Sequence, residues 1–425
     1  MNIKKLKTFL LNKSLENNIF YLSIFLLPSA PFFSSLILLF LGIKLSFKNK
    51  TYFSDKWNIP FFYAGLLIII SCLSNFINGP FFYNQPYQSS LIWIGIFNWI
   101  PYFWVFWVFQ QFTETSKDRY KIGLFLLAGS VPVILTCLAQ YFLKIHGPFT
   151  FLQGIITWYL RPIHSYNGMS GLFNNANYTG TWLNIILPFS LVLFFEEKQY
   201  LFKRIVSIFF LFFILICTIF TFSRNAILGL IIGSILVMGY KSLKWILPTL
   251  FGISIPIITS IGVIPNENLI NISKKIVPEI IWNYRFNSIG IENLDNYGRI
   301  NIWNSAINFI LEKPIWGWGS SSFPTLYEAT NNIYKAHTHN LALELAISFG
   351  IPVMLIIITS FILIFYFSKN KVFYKDKSDP YEVAWWTTSL LILISQMYDI
   401  QYYDIRIGLI FWLFLGGLRN IIRNK

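Results

Sequence analysis

Charge is scarce in this chain. Asp and Glu number 18 against 33 Lys and Arg in 425 residues, and charged residues of both signs reach only 12%, whereas a soluble domain carries about 25%. Hydrophobic residues make up 55% and mean hydropathy is +0.56, more than a single water-bounded core could hide. These shortages exclude a soluble globular protein and point to many membrane crossings. Cysteine is limited to Cys72, Cys137 and Cys217, all inside apolar stretches and without CxxC spacing, which leaves no cysteine redox motif to read. Histidine occurs four times, and two of the four fall together in "KAHTHNLALELAISFG", residues 335–350. No internal repeat and no low-complexity segment is visible.

Apolar stretches long enough to cross about 30 Å of hydrocarbon lie near residues 57–77, 90–112, 121–143, 176–195, 202–222, 225–240, 244–263, 341–368, 383–400 and 405–422. Residues 18–47 add one span or two, because Pro28 and Pro31 interrupt "IFYLSIFLLPSAPFFSSLILLFLGI" and a helix rarely continues through such a pair. Counting two spans places most Lys and Arg, including "KNK", "SKDRYK" and "RNIIRNK", on the side that holds both termini. Basic loops stay cytoplasmic, so the expectation is an all-α polytopic membrane protein of about twelve crossings with both ends inside. The net charge of +15 then reflects topology and contact with anionic membrane lipids and calls for no nucleic-acid partner. Lys4, Lys5 and Lys7 ahead of an apolar stretch imitate a secretory signal, but a paired hairpin serves the parity better.

The expected organisation is a transmembrane bundle over 1–263 with an external loop at 144–175, an external cap over 264–340, and C-terminal transmembrane helices over 341–425. Loops of such length usually carry function. Within the cap, which also holds Arg285, "NYGRINIWNSAINFILEKPIWGWG" has apolar residues at Ile300, Trp303, Ile307 and Ile310, the period of an amphipathic helix, with Pro314 and Gly317 to stop it. That stripe is expected to pack on the membrane domain.

Basic residues on the outer side break the positive-inside pattern. Arg224 in "TFSRNAILG" sits in a turn between adjoining spans, where a guanidinium is costly unless an anion meets it. Arg299 opens the cap helix, whose free backbone N–H groups and dipole also favour an anion. Arg161 stands in the earlier loop, "YLRPIHSYNGMSGLFNNANYTG". Each alone reads as a headgroup contact or ion pair; together they suggest a phosphate-bearing ligand.

Neutral imidazole can take a proton from a hydroxyl. His337 and His339 are two positions apart, about 200° on a helix, so they diverge if the helix has begun, and the i, i+4 spacing of a helical zinc site is missing. No metal site is therefore expected. His339, next to Asn340, is the candidate base, with helix capping as the structural alternative. Glu344 lies five residues on, turned away from His339, and is expected to pair with another buried polar group.

These residues resemble a family. "HN", nine residues and Gly350 are similar to the histidine motif of the O-antigen ligase and polymerase superfamily, and "SRNA", "GLFNNANYTG" and "GRINIW" with "GWG" follow the family's order. One departure is Val353, where the ligases usually have a small or hydroxylated residue. The resemblance implies a metal-independent, inverting glycosyltransferase without cofactors, seated in the bacterial inner membrane with its site toward the periplasm. Its donor would be a glycan on undecaprenyl diphosphate, and its acceptor another glycan or lipid A-core. Arg224 and Arg299, with Arg161, would hold the diphosphate, His339 would activate the acceptor hydroxyl, and His337, Asn340 and Glu344 would support it. No DxD-like acidic pair occurs in the expected external loops, and arginines can neutralise a leaving diphosphate in place of a cation. Trp282, Tyr284, Trp303, Trp316, Trp318 and Tyr327 offer rings for sugars. The rival reading is a transporter of small anions such as bicarbonate, which would instead show charged or broken helices at mid-membrane. Ligase and polymerase stay undivided.

Overall fold

The computed structural model describes residues 13–77, 81–82, 85–86, 90–163, 168–196, 201–277 apart from 263 and 265, 298–373 and 379–423. Arg285, Trp282 and Tyr284 lie outside them. The protein is an all-α polytopic membrane protein. Eight of the described helices are long and apolar enough to cross a membrane: α2 (Pro31–Lys48), α3 (Ile59–Ile77), α4 (Ser90–Gln110), the pair α5 (Ser116–Gly129) and α6 (Val131–Phe142), α7 (Ala176–Glu196), α8 (Leu201–Phe220), α15 (Ile351–Phe373) and α17 (Ile405–Arg423). The other four expected crossings are helical too, in α1 (Lys13–Leu26), α9 (Arg224–Met238), α10 (Leu243–Ser260) and α16 (Pro380–Gln396). With 15 residues, α9 rises only about 23 Å.

Residues 18–47 form two helices, and Pro31 opens the second, where its missing N–H costs nothing. α7 and α17 are the centre of the bundle, with 83% and 89% of their apolar windows buried, against 28% for α2 and α8 at its edge. α7 packs on α8, α9 and α16, and α17 on α4 and α15. Between the helices, β3 (Phe149–Phe151) and β4 (Ile156–Trp158) make an antiparallel hairpin in the first long loop, and β1 (Phe81–Phe82) pairs with β2 (Gln85–Pro86).

Two expectations need correction. Residues 341–368 are not one helix: α14 (Leu341–Phe349) ends at Gly350, and α15 begins a residue later. Gly350 has φ +91, and a Cβ there would lie 1.9 Å from the Ile315 carbonyl oxygen. The break lets residues 314–318 pair with the interruption, since Trp318 N–H donates to Ile347 O at 2.7 Å and Ile351 N–H to Pro314 O at 2.8 Å. Helix α12 (Arg299–Glu312) buries only part of the expected stripe, Ile310 and, in part, Trp303. Ile302, Ala306, Phe309 and Ile310 are buried, while Ile300 and Ile307 stay exposed; the true contact line runs one to two residues from the expected stripe because α14 lies against that side. Residues 264–340 also contain α11 (Glu267–Ile276) and α13 (Phe323–Asn331).

Candidate active site

The loop from His337 to Asn340 is held from three directions. Asn340 caps α14, its side-chain oxygen accepting from the N–H groups of Ala342 (3.0 Å) and Leu343 (3.2 Å), a favourable end for orphan helix donors. Its amide group also donates to Met397 O at 3.2 Å. Thr338 is fully buried: its N–H donates to Glu344 Oε2 at 3.0 Å, and its carbonyl accepts from the Trp303 indole of α12 at 3.1 Å. Glu344 also accepts from the Tyr403 hydroxyl at 3.4 Å. His339 sits between these clamps with φ +57, an uncommon conformation for a side-chain-bearing residue that persists only when its surroundings impose it.

The helix has therefore not begun at the histidines, and both imidazoles turn to one carboxylate, contrary to the divergence expected had it begun. His339 Nδ1 is 2.9 Å from Asp399 Oδ1 and His337 Nε2 is 3.8 Å from the same oxygen. The two rings meet edge to face at 4.2 Å. Asp399 belongs to the turn between α16 and α17. Its other oxygen accepts from Asn177 in the first turn of α7 at 2.9 Å, with Gln401 at 3.5 Å. Arg406 anchors that turn on Asp404, with its guanidinium 3.8 Å over the Phe173 ring.

Electrostatics tie the arginines to this centre. Burial pushes the Asp399 carboxyl up, and the hydrogen bond and charge of His339, with His337 and Asn177, more than reverse it, so the group falls below its usual range. His337 is pushed down to about 4, first by burial and then by His339, with Arg299 adding to the effect and Asp399 opposing it. Arg299 is lowered first by burial, with Arg224 adding to the effect and Asp399 opposing it. Arg299, opening α12, thus lies within charge range of Asp399 and of Arg224, which opens α9 behind the Ser223 cap. Both arginines remain accessible to solvent. Arg161 is held within its own loop: its guanidinium donates to Asn174 Oδ1, by Nε at 2.8 Å, and lies over Tyr159.

His337, His339 and Asp399 place one donor atom each within 4.8 Å, close enough to hold a metal ion. The hydrogen bonds favour another use. His337 Nδ1 accepts from the His339 N–H at 3.2 Å, so its proton sits on Nε2, toward Asp399, where a metal would need a lone pair. If His339 likewise donates Nδ1–H to Asp399, its Nε2 lone pair is left for a substrate proton.

Sequence reasoning identified His339 and missed Asp399 and Asn177. Of the proposed sugar platforms, Tyr327 and Trp318 are buried, the latter's indole donating to Phe309 O at 2.7 Å; they serve the core. Trp316 is 37% exposed.

Residues 209–358 match the family model described as O-Antigen ligase, which supports the resemblance to the O-antigen ligase and polymerase superfamily and a ligase- or polymerase-type function. No curated protein matches the chain. The matched stretch contains Arg224, Arg299, His337, His339, Asn340 and Glu344 and ends before Asp399.

Proposed function

From the O-antigen ligase match over residues 209–358, we propose that this membrane protein transfers a glycan from an undecaprenyl diphosphate carrier to an acceptor hydroxyl, with inversion and without a metal ion. The observation that carries the reading is the 2.9 Å contact of His339 Nδ1 with Asp399, with the exposed Arg299 within charge range of the same carboxylate. His339 Nε2 takes the acceptor's hydroxyl proton as the acceptor oxygen attacks the anomeric carbon. A new C–O bond forms on the face opposite the carrier, and the bond to the diphosphate oxygen breaks with its electron pair. Arg224 and Arg299 meet the charge that develops there, and charge-assisted bonds of this kind contribute roughly 1.5–3 kcal/mol each. Asp399 fixes the imidazole tautomer and stabilises the imidazolium, and the proton then passes to solvent.

In this reading both termini are cytoplasmic and the histidines face the periplasm, with residues 264–340 as the cap. Arg161, on the exposed loop, would touch the outer part of the glycan-diphosphate. Val353 is buried in α15, and the departure there weighs against a ligase relative to a polymerase. The test is the surface polysaccharide of a deletion strain, resolved on gels after complementation by wild-type or His339→Ala protein. Loss of all attached chains identifies a ligase, single attached repeats identify a polymerase, and unchanged polysaccharide in the deletion strain overturns the proposal.

A further inference from the structure

A cavity lies far from the histidines. α17 begins beside Asp404 and runs to Arg423, so its last turn is about 27 Å along the helix from that site. There the turn after α2, the end of α4 and the end of α17 enclose about 620 Å³, within the usual range for small-molecule sites. We propose that this cavity binds a phosphate group.

Three cations line it, Lys56, Arg419 and Arg423, against two carboxylates, Asp55 and Glu114. Asp55 is already engaged, since its carboxylate pairs with Arg419 and accepts from the Trp57 N–H at 3.0 Å. Arg419 is 93% buried, going by its 7% exposure. Its Nη1 donates to Asn420 Oδ1 at 2.8 Å, yet its Nε has no hydrogen-bond partner among the described residues. Paired with Asp55 and sealed at Nε, Arg419 fixes the positive wall, and the exposed charges of Lys56 and Arg423 are left to meet a phosphate oxygen. Arg423 follows one turn later on the same face of α17.

The floor is fixed by Asn420, which donates to Gln110 O at 2.7 Å and Thr113 Oγ1 at 2.9 Å. Trp57 and Trp107 form walls, a composition suited to the membrane–water boundary. Phe47 and Phe53, close in sequence to lining residues Asn49 and Ser54, are 84% and 65% exposed. The phosphate could belong to a phospholipid headgroup or to a soluble ion, and the test separates these sources.

Full-length protein is reconstituted in nanodiscs of phosphatidylcholine, with or without phosphatidylglycerol, and inorganic phosphate is titrated into the phosphatidylcholine discs. Thermal unfolding and native mass spectrometry of retained lipid are read for wild type and for the double variant Lys56→Gln, Arg423→Gln. An unfolding midpoint equal to wild type in phosphatidylcholine without phosphate certifies the variant's fold; a lower one passes the test to Arg423→Gln alone. The expected result is stabilisation of wild type by phosphatidylglycerol, phosphate or both, with binding about tenfold or more weaker in the variant. Response to phosphatidylglycerol alone assigns a lipid headgroup, and response to phosphate assigns a soluble ligand. No response to either, or an equal response in the variant, overturns the proposal.

Discussion

His339 and Asp399 are separated by 60 residues of chain and joined at 2.9 Å between Nδ1 and Oδ1. The contact couples the loop before α14 to the turn before α17, and Asn177 of α7 supports the same carboxylate. An imidazole so held has one nitrogen committed and one available, which is the arrangement a general base requires.

Replacing Asp399 by Asn keeps the shape and removes the charge that stabilises the imidazolium. The expected effect on kcat is a loss of about 10²–10⁴-fold, with KM changed little. Asn177→Leu leaves the charge and loses one supporting bond, so its loss is smaller. Steady-state transfer kinetics check both, and a KM effect without a kcat effect would show that Asp399 binds substrate instead.

The two arginines are expected to act as a unit. Arg224→Gln and Arg299→Gln should each lower kcat/KM by about 10-fold or more, and the double variant should lose less than the product of the single losses, because both meet one diphosphate. Arg161→Gln, whose guanidinium rests on Asn174, should be milder. Full additivity of the first pair would separate their roles.

Stability should depend on His337 in acid. Its folded value of about 4 lies below the ordinary 6.5, so the unfolded chain binds the proton more readily. The folded state keeps its full stability above about pH 6.5 and loses it as pH falls toward 4, by on the order of 3 kcal/mol. Thermal unfolding in detergent between these limits should show the decline, and His337→Gln should flatten it.

Gly350→Ala should reduce the yield of folded protein, since the side chain meets both a φ of +91 and the Ile315 carbonyl. Costs of about 1–3 kcal/mol arise from the backbone alone. Gly252→Ala in α10, where a Cβ meets nothing within 4 Å, is the control. Monodisperse yield after detergent extraction distinguishes them.

Composition and apolar runs foretold the helices because membrane crossings need length and hydrophobicity, which a sequence states directly. The break at Gly350 was hidden, since "LALELAISFGIPVMLIIITSF" reads as continuous hydropathy and only the pairing with residues 314–319 explains the glycine. On α12, apolar residues occur on two sides, so periodicity alone did not select Ile302 and Phe309 over Ile300 and Ile307. His339, Arg224 and Arg299 stood out as unusual residues in unusual places. Asp399 fell inside an expected span, 383–400, and drew no separate reading; the available signal was two acids, Asp399 and Asp404, around the turn between the last two spans of a chain poor in carboxylates. Asn177 had no signal beyond its place in "GLFNNANYTG".

The most direct measurement is glycan transfer from a purified polyprenyl-diphosphate-linked donor by the reconstituted protein, with and without a chelator, for wild type and His339→Ala. Wild type should transfer equally well under both conditions, and His339→Ala should be lowered by about 10²–10⁴-fold while remaining folded in the membrane. Wild-type loss on chelation, restored by added metal, would convert His337, His339 and Asp399 into a metal site, and normal transfer by His339→Ala would contradict the base.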